Sequence, residues 1–272
     1  CSSDLLMKKY LVLALLACSY SQAHEPYIAP LSYLTANTQI SMLSGYAEEA
    51  LNAEYALKDV QFSVIQPNQT QLNIQPQSQL ESVTAFDLKL PQQGTYTVYG
   101  KTSYPIQYVQ HNKQWKIFAD VAADKVPALS ERDYVIPSDF KGKAPKKVDT
   151  IREWSIQSYV SKATTSPIAA TPAPIQVTFQ THPNEIVAGQ PVQLQLSKAG
   201  KTLAHAEVLI RAQGTTDKQA QTVTVNPNGT ATLTFPNAGS YLLEVSEKIE
   251  SEATPQNQYY TIISLGVKTP AA

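Results

Sequence analysis

Residues 88–98 read LKLPQQGTYTV and residues 233–243 read LTFPNAGSYLL. Both fit one pattern, L-x-(L/F)-P-x-x-G-(T/S)-Y-x-(V/L). A proline ends one strand, because it has no amide proton to give to a ladder. A glycine able to take positive φ turns the chain. The return strand then opens on a tyrosine that points inward. Corners of this kind stand near the end of immunoglobulin-like and transthyretin-like sandwiches. The two glycines are 239 − 94 = 145 residues apart. That separation predicts an all-β chain of two immunoglobulin-like/transthyretin-like β-sandwich domains in tandem.

Outward from these corners the sequence keeps the period of strands. Alternation of period two runs through VQFSVI (60–65), FDLKL (86–90), TYTVYG (95–100), IQVTF (175–179), VQLQL (192–196) and AEVLI (206–210). TVTVNPNGTATLTF (222–235) is two alternating runs around Asn-Pro-Asn-Gly, which predicts a hairpin. Only YAEEALNAEYAL (46–57) has a helical composition, and it reads equally as a long loop over a sheet edge. SKATTSPIAATPAP (161–174) loses both alternation and nearly all charge, the composition of a semi-stiff connector. The expected organisation is an N-terminal sandwich over 24–160, this connector, and a C-terminal sandwich over 175–272.

Residues 1–23 read as upstream sequence followed by a secretory signal. MKK (7–9) precedes the apolar YLVLALLAC (10–18), too short to span a membrane, and SYSQAH (19–24) gives a small-x-small exit. Cleavage between Ala23 and His24 leaves 272 − 23 = 249 residues and removes both cysteines, Cys1 and Cys18. The mature fold then rests on burial alone, without a disulfide. A competing exit is LLAC (15–18), with Cys18 as a lipidated residue and Leu16 as its poorest fit. Either exit predicts a periplasmic protein exported by a bacterium.

A formal net charge of −1 with 16% charged residues and no basic stripe gives nucleic acid no electrostatic footprint. After the signal no apolar run reaches the length of a membrane span. There is no G-x-S-x-G, no glycine-rich phosphate loop, no H-E-x-x-H and no EF-hand loop, so no enzyme and no organic cofactor is expected. The lysines of PSDFKGKAPKKVD (137–149) read as a solvated loop, and Glu48 and Glu49 as a solvated pair.

Four histidines remain as candidate ligands for a transition metal ion, Ni, Co or Cu. Cleavage before His24 would set an α-amine, of pKa about 7.7–8, beside its imidazole. Amine and Nδ1 can then chelate one ion, and Pro26 stops further capture through deprotonated amides. A second protein ligand is needed. His182, in the turn QTHPNEIVAGQP (180–191), is the preferred one, with Pro183 and Asn184 fixing the backbone and exposing the ring, although it reads equally as a surface loop histidine hydrogen-bonded to its own turn. His111 sits at a hairpin tip beside Lys113, whose ammonium disfavours a cation. His205 precedes a strand and has the least to recommend it. The rival reading is a structural or adhesive module binding a protein or glycan partner. Its candidate surface is the aromatic hairpin region of Tyr96, Tyr99, Tyr104, Tyr108 and Trp115, although alternation turns Tyr96 into the core.

Several of these segments together resemble the NikM-like family of exported bacterial proteins, a family of unknown function linked with nickel and cobalt uptake. HEPYIAP (24–30) follows its mature start at His24 and Pro30. THPNEIVAG (181–189) matches its second-half turn, GKTLAHAEV (200–208) its strand entry, and NGTATLTFPNAGSYLLEVS (228–246) its ending. Where the family pattern has a glycine this chain has His205. The resemblance implies a periplasmic accessory in metal uptake, with a TonB-dependent receptor or transporter component as partner. His24 and His182 are the residues that match a shared pattern and can also ligate.

Overall fold

In a computed structural model, the described residues are 25–271 apart from 59, 77, 143–144 and 249–253. Residues 1–24, with the segment read as a signal, Cys18 and His24, lie outside them. The chain divides into two compact units. The larger takes in the described residues of 24–103, Glu153–Lys248 and Gln258–Ala272; the smaller takes in Tyr104–Arg152 and the described residues of Ile249–Asn257. The division does not fall at 161–174, since both flanks of that stretch belong to the larger unit.

All regular structure described is strand, apart from single 3-10 turns. One sheet has the order β1 (Glu25–Pro30), β3 (Gln39–Ala47), β8 (Thr84–Lys89), β7 (Ser78–Gln79), with β4 (Tyr55–Ala56) also on β3. A second has the order β12 (Ile175–Phe179), β13 (Pro191–Lys198), β14 (Lys201–Thr202), with β17 (Thr230–Thr234) also on β13. The third has ten strands. Its path is β16 (Gln221–Val223), β15 (Ala206–Ala212), β18 (Gly239–Glu247), β19 (Gln258–Val267), β11 (Val148–Lys162), β9 (Gly94–His111), β5 (Phe62–Ile65), β6 (Gln71–Ile74). To these β10 (Gln114–Ile117) adds on β9 and β2 (Leu34–Thr35) on β11.

This order is the same topology twice. In immunoglobulin lettering, β1, β3 and β8 are A, B and E of the first sandwich, facing β6, β5, β9 and β11 as C′, C, F and G. β12, β13 and β17 repeat A, B and E, facing β16, β15, β18 and β19 as C′, C, F and G. The ten-stranded sheet arises because the two G strands, β11 and β19, are neighbours. An edge strand is a template for another strand, and here each G strand closes the other's edge.

The repeated corner is the E-to-F crossing in both copies. β8 and β9 lie in different sheets, as do β17 and β18. Gly94 has φ 114° and Gly239 φ 146°. The Tyr96 hydroxyl donates to the Gln92 carbonyl (2.9 Å) and the Tyr241 hydroxyl to that of Asn237 (2.9 Å). Both tyrosines are buried. Leu90 and Phe235, just before the prolines, are buried too.

Alternation along β11 serves both cores. Tyr159 packs into the second sandwich among Leu194, Leu196, Phe235 and Ile263. Ser158 turns the other way, and its Oγ lies 2.7 Å from that of Ser264, which donates to the carbonyl of Ile28 in β1 (2.7 Å). The five-stranded and four-stranded sheets therefore cover opposite faces of the shared sheet. In the first core Phe62 of β5 meets Phe86 of β8 at 5.1 Å between centroids.

Two expectations need correction. Residues 46–57 form no helix: Tyr46 and Ala47 finish β3, Tyr55 and Ala56 form β4, and a turn lies between. The loop reading is the one realised, because the backbone of Ala50 pairs with Thr215 and Gly214 (2.9 Å each), far along the chain, instead of within its own segment. Residues 222–235 form a closed turn without a hairpin ladder. Asn226 and Gly229 make the turn bonds (2.8 Å), and a single bridge joins Val225 to Ala231. Beyond it β16 pairs with β15 and β17 with β13, so the two runs part to opposite sheets.

The Tyr104–Arg152 part of the smaller unit is an elaborated F–G connection of the first sandwich with the adjoining ends of β9 and β11. β9 runs on to His111, turns at Asn112 and Lys113 (φ 52° and 67°), and returns as β10 with Gln114 opposite His111. Val109, Phe118 and Val135 form one apolar cluster, and Ala119, Tyr134 and Ile136 another.

Candidate functional site

His182 sits at the head of the 3-10 turn Pro183–Glu185. Its Nδ1 accepts the amide proton of Asn184 (3.1 Å), which requires that nitrogen to be unprotonated. Nε2 therefore carries the proton and donates to the Ser166 carbonyl (3.0 Å), with Thr95 Oγ1 also at 3.0 Å. The ring is half-buried where exposure was expected. Burial holds it below the ordinary imidazole value, against the pull of Glu185 and the Ser166 carbonyl.

Around it lies a polar network. Thr95 N–H donates to Ser166 Oγ (2.8 Å), and Ser166 N–H donates back to Thr95 Oγ1 (3.0 Å). Buried Asn184 donates to the carbonyls of Tyr33 (2.9 Å) and Tyr159 (3.0 Å) and to Ser161 Oγ (2.8 Å). The THPN turn thus ties the second sandwich to the first residues of β9, the end of β11 and the connector. As placed, His182 gives both ring nitrogens to that joint. Among the described residues no group of three or more His, Cys, Asp or Glu is placed to hold a metal ion. His205 is exposed and its carbonyl accepts from Lys248 (2.9 Å).

His111 ends β9 at the tip of the smaller unit, edge-on to Phe140 at 5.5 Å. An open cleft of about 190 Å³ lies beside it, lined by His111, Lys116, Leu129, Arg132, Asp133 and Tyr134 among others. Arg132 braces its wall: the guanidinium takes both oxygens of Asp139 at 2.7 Å and donates to the Tyr134 carbonyl (2.5 Å). The resulting bonds from Arg132 and from the Ile136 amide hold the Asp139 carboxyl below its ordinary value despite burial. Of the aromatics, Tyr96 is core, whereas Tyr99, Tyr104, Tyr108 and Trp115 are only partly covered.

A second cluster was invisible in the motif reading. Arg211, fully buried on β15, forms an ion pair with Glu25 at the first residue of β1 and another with Asp217 (2.5 Å). Its guanidinium also donates to the Glu48 carbonyl at 3.3 Å. Glu244 of β18 lies diagonally across from Arg211, which pairs with Leu242. Burial lifts the Glu244 carboxyl to about 7, with Arg211 opposing and Asp217 and Glu207 adding to the rise. Burial likewise raises Asp217, against Arg211. The one signal in the sequence was a lone acid inside the apolar strand YLLEVS (241–246).

Fold and joint together define a tandem β-sandwich protein of immunoglobulin-like topology. The chain belongs to the family described as domain of unknown function DUF4198, which it matches over residues 21–249. No curated protein matches it. Among solved structures it is similar to a tetra-tandem repeat in the extending region of a large adhesion protein, at 12% identity and a TM-score of 0.23. That match covers 88% of this chain and 47% of the other, so the chain spans about half of that segment. A two-domain fibronectin type III segment of chicken tenascin follows at 10% identity and 0.22, covering 87% and 97% of the two chains. The D0–D1 domains of intimin give 11% and 0.22, with 88% and 97% covered. Scores this low add nothing to what the sheets show.

Proposed function

We propose that this is a non-enzymatic binding module whose recognition surface is the elaborated F–G connection, residues 104–152. One observation carries the reading. The F–G turn of such a sandwich needs only a few residues, yet here it is a compact unit with two apolar clusters of its own and a braced, polar cleft. In variable-type sandwiches the F–G loop is one of the recognition loops, a likeness of architecture only. The partner fitting a cleft of mixed charge with partly covered aromatics is a protein or glycan. The test replaces 104–152 by a short turn and compares capture from the producing cell's envelope. A partner held by the full chain, lost on replacement and footprinted on 104–152 supports the reading; equal capture by both chains contradicts it.

A second reading is transition-metal handling through His24, supported by the small-x-small exit before that residue, which on cleavage would set an α-amine beside its imidazole. Titration of the mature chain with Ni²⁺ and Cu²⁺ tests it. Affinity that vanishes when one residue is added before His24 supports the chelate, and unchanged affinity contradicts it.

A further inference from the structure

The cleft beside His111 combines a braced wall with free polar side chains. β10 lies on β9 with Gln114 opposite His111 and Lys116 opposite Val109. Residues directly opposite share a face, so His111, Gln114 and Lys116 stand on one side of the hairpin. The facing wall comes from 129–135 and is held by Arg132, whose donors go to Asp139 and to the carbonyls of Pro127 and Tyr134. By contrast the side chains of Asn112, Gln114, Lys116 and Asp133 make no hydrogen bond or ion pair among the described residues, and Leu129 is 41% exposed. The surrounding charge is lopsided. Residues 104–152 carry nine Lys and Arg against six Asp and Glu, 9 − 6 = +3, in a chain of −1, so the remainder carries −1 − 3 = −4. Part of this excess lies at the cleft: Lys116 lines it and Lys113 sits at the hairpin tip. From His111 the rings continue through Phe140 (5.5 Å) to Phe118 (6.4 Å), over which stands the Lys147 ammonium (4.0 Å).

We infer that the cleft takes one carboxylate-bearing sugar unit of an acidic polysaccharide. This rests on the reading of 104–152 as the recognition surface and names what that surface recognises. A protein interface is centred on aromatic and arginine anchors. Here Tyr134 is buried in the wall and the Arg132 side chain is buried against Asp139, so neither is offered to a partner. What stands open is two amides, a carboxylate and an ammonium. Amides donate and accept, Asp133 accepts, and Lys116 donates, a set that matches hydroxyl groups, which do both. Asp133 speaks against a bare anion, which has no proton to give it, whereas a sugar ring brings hydroxyls to Asp133 and a carboxylate to Lys116. At about 190 Å³ the cleft is smaller than the roughly 300–1,000 Å³ of drug-sized pockets, which suits a single ring. The basic excess around it suits a ligand whose neighbouring units carry negative charge as well.

The test is calorimetry of the full chain at low salt with short oligogalacturonate and alginate oligomers. Methyl-esterified oligogalacturonate, which keeps rings and hydroxyls but loses the charge, is the comparison. At least one of the acidic oligomers is expected to bind, and the ester at least about tenfold more weakly than its acid. Lys116→Gln and Asp133→Asn are each expected to weaken binding by about tenfold. Lys201→Gln removes the same charge from an exposed position on β14 and is expected to change affinity by less than about twofold. No binding of either acidic oligomer overturns the inference, as does equal affinity for the ester. Equal losses in the Lys116 and Lys201 variants overturn it too, since they would report charge without a site. A protein partner still captured through 104–152 while the oligomers fail leaves the F–G reading standing. Oligomer binding that survives replacement of 104–152 by a short turn overturns both.

Discussion

Tyr96 does more at its corner than Tyr241 does at the matching one. Its hydroxyl donates to the Gln92 carbonyl and also accepts the Gln92 amide (2.8 Å), whereas among the described residues the Tyr241 hydroxyl bonds to Asn237 alone. Tyr96→Phe removes a donor and an acceptor and is expected to cost about 1–3 kcal/mol in urea unfolding; Tyr241→Phe is expected to cost about 0.5–1.5. His182 makes its own prediction at this scale. Its folded value lies below the unfolded one of about 6.5, so its contribution is complete above that pH and is lost as pH falls through it. Glu244 works in reverse, its raised value costing stability as pH rises towards about 7. Subtracting the profile of His182→Gln from that of the natural chain isolates the histidine. The difference is expected to shrink on acidification, and a difference constant with pH would remove His182 from the joint. The sequence exposed the tyrosines through their repeat. It allowed the bond of His182 to its own turn, which Asn184 makes, but missed the partial burial of the ring, because Thr95 and Ser166 come from distant segments and no local pattern encodes that meeting.

At the scale of elements the corner glycines divide the work unequally. Both have positive φ, where an L side chain is strained. A Cβ on Gly94 would also lie 2.8 Å from Ser166 Oγ and 2.9 Å from Pro67 Cβ, while none of the described atoms lies within 4 Å of one on Gly239. Gly94→Ala is therefore expected to destabilise by more than the roughly 1–2 kcal/mol of backbone strain expected for Gly239→Ala, as read by thermal unfolding. Strand alternation was legible because each strand has one face on a core. The turn at 222–235 was misread because NPNG specifies a reversal and says nothing about which sheet takes each arm. The segment 46–57 was ambiguous for a related reason: its Ala, Leu and Glu favour a helix, but Gly45 has no room for a Cβ against Ala53 and Tyr55, and Ala50 finds its partners on the second sandwich.

At the scale of the molecule, a tandem repeat in sequence has become one continuous sheet in the larger unit. The G strands of the two sandwiches join, the THPN turn locks the connector, and Ser158, Ser264 and Ile28 link the two layers through buried hydroxyls. The composition of 161–174 reads as a semi-stiff connector; composition reports local stiffness and cannot report that the flanking strands find each other. Hydrogen exchange on β11 and β19 tests this most directly. Amides of residues 153–162 and 258–267 that face the shared seam are expected to exchange as slowly as those of β13 and β18, through global unfolding alone. Seam amides that exchange at the rates of exposed edge strands, while both cores stay protected, would contradict the continuous sheet.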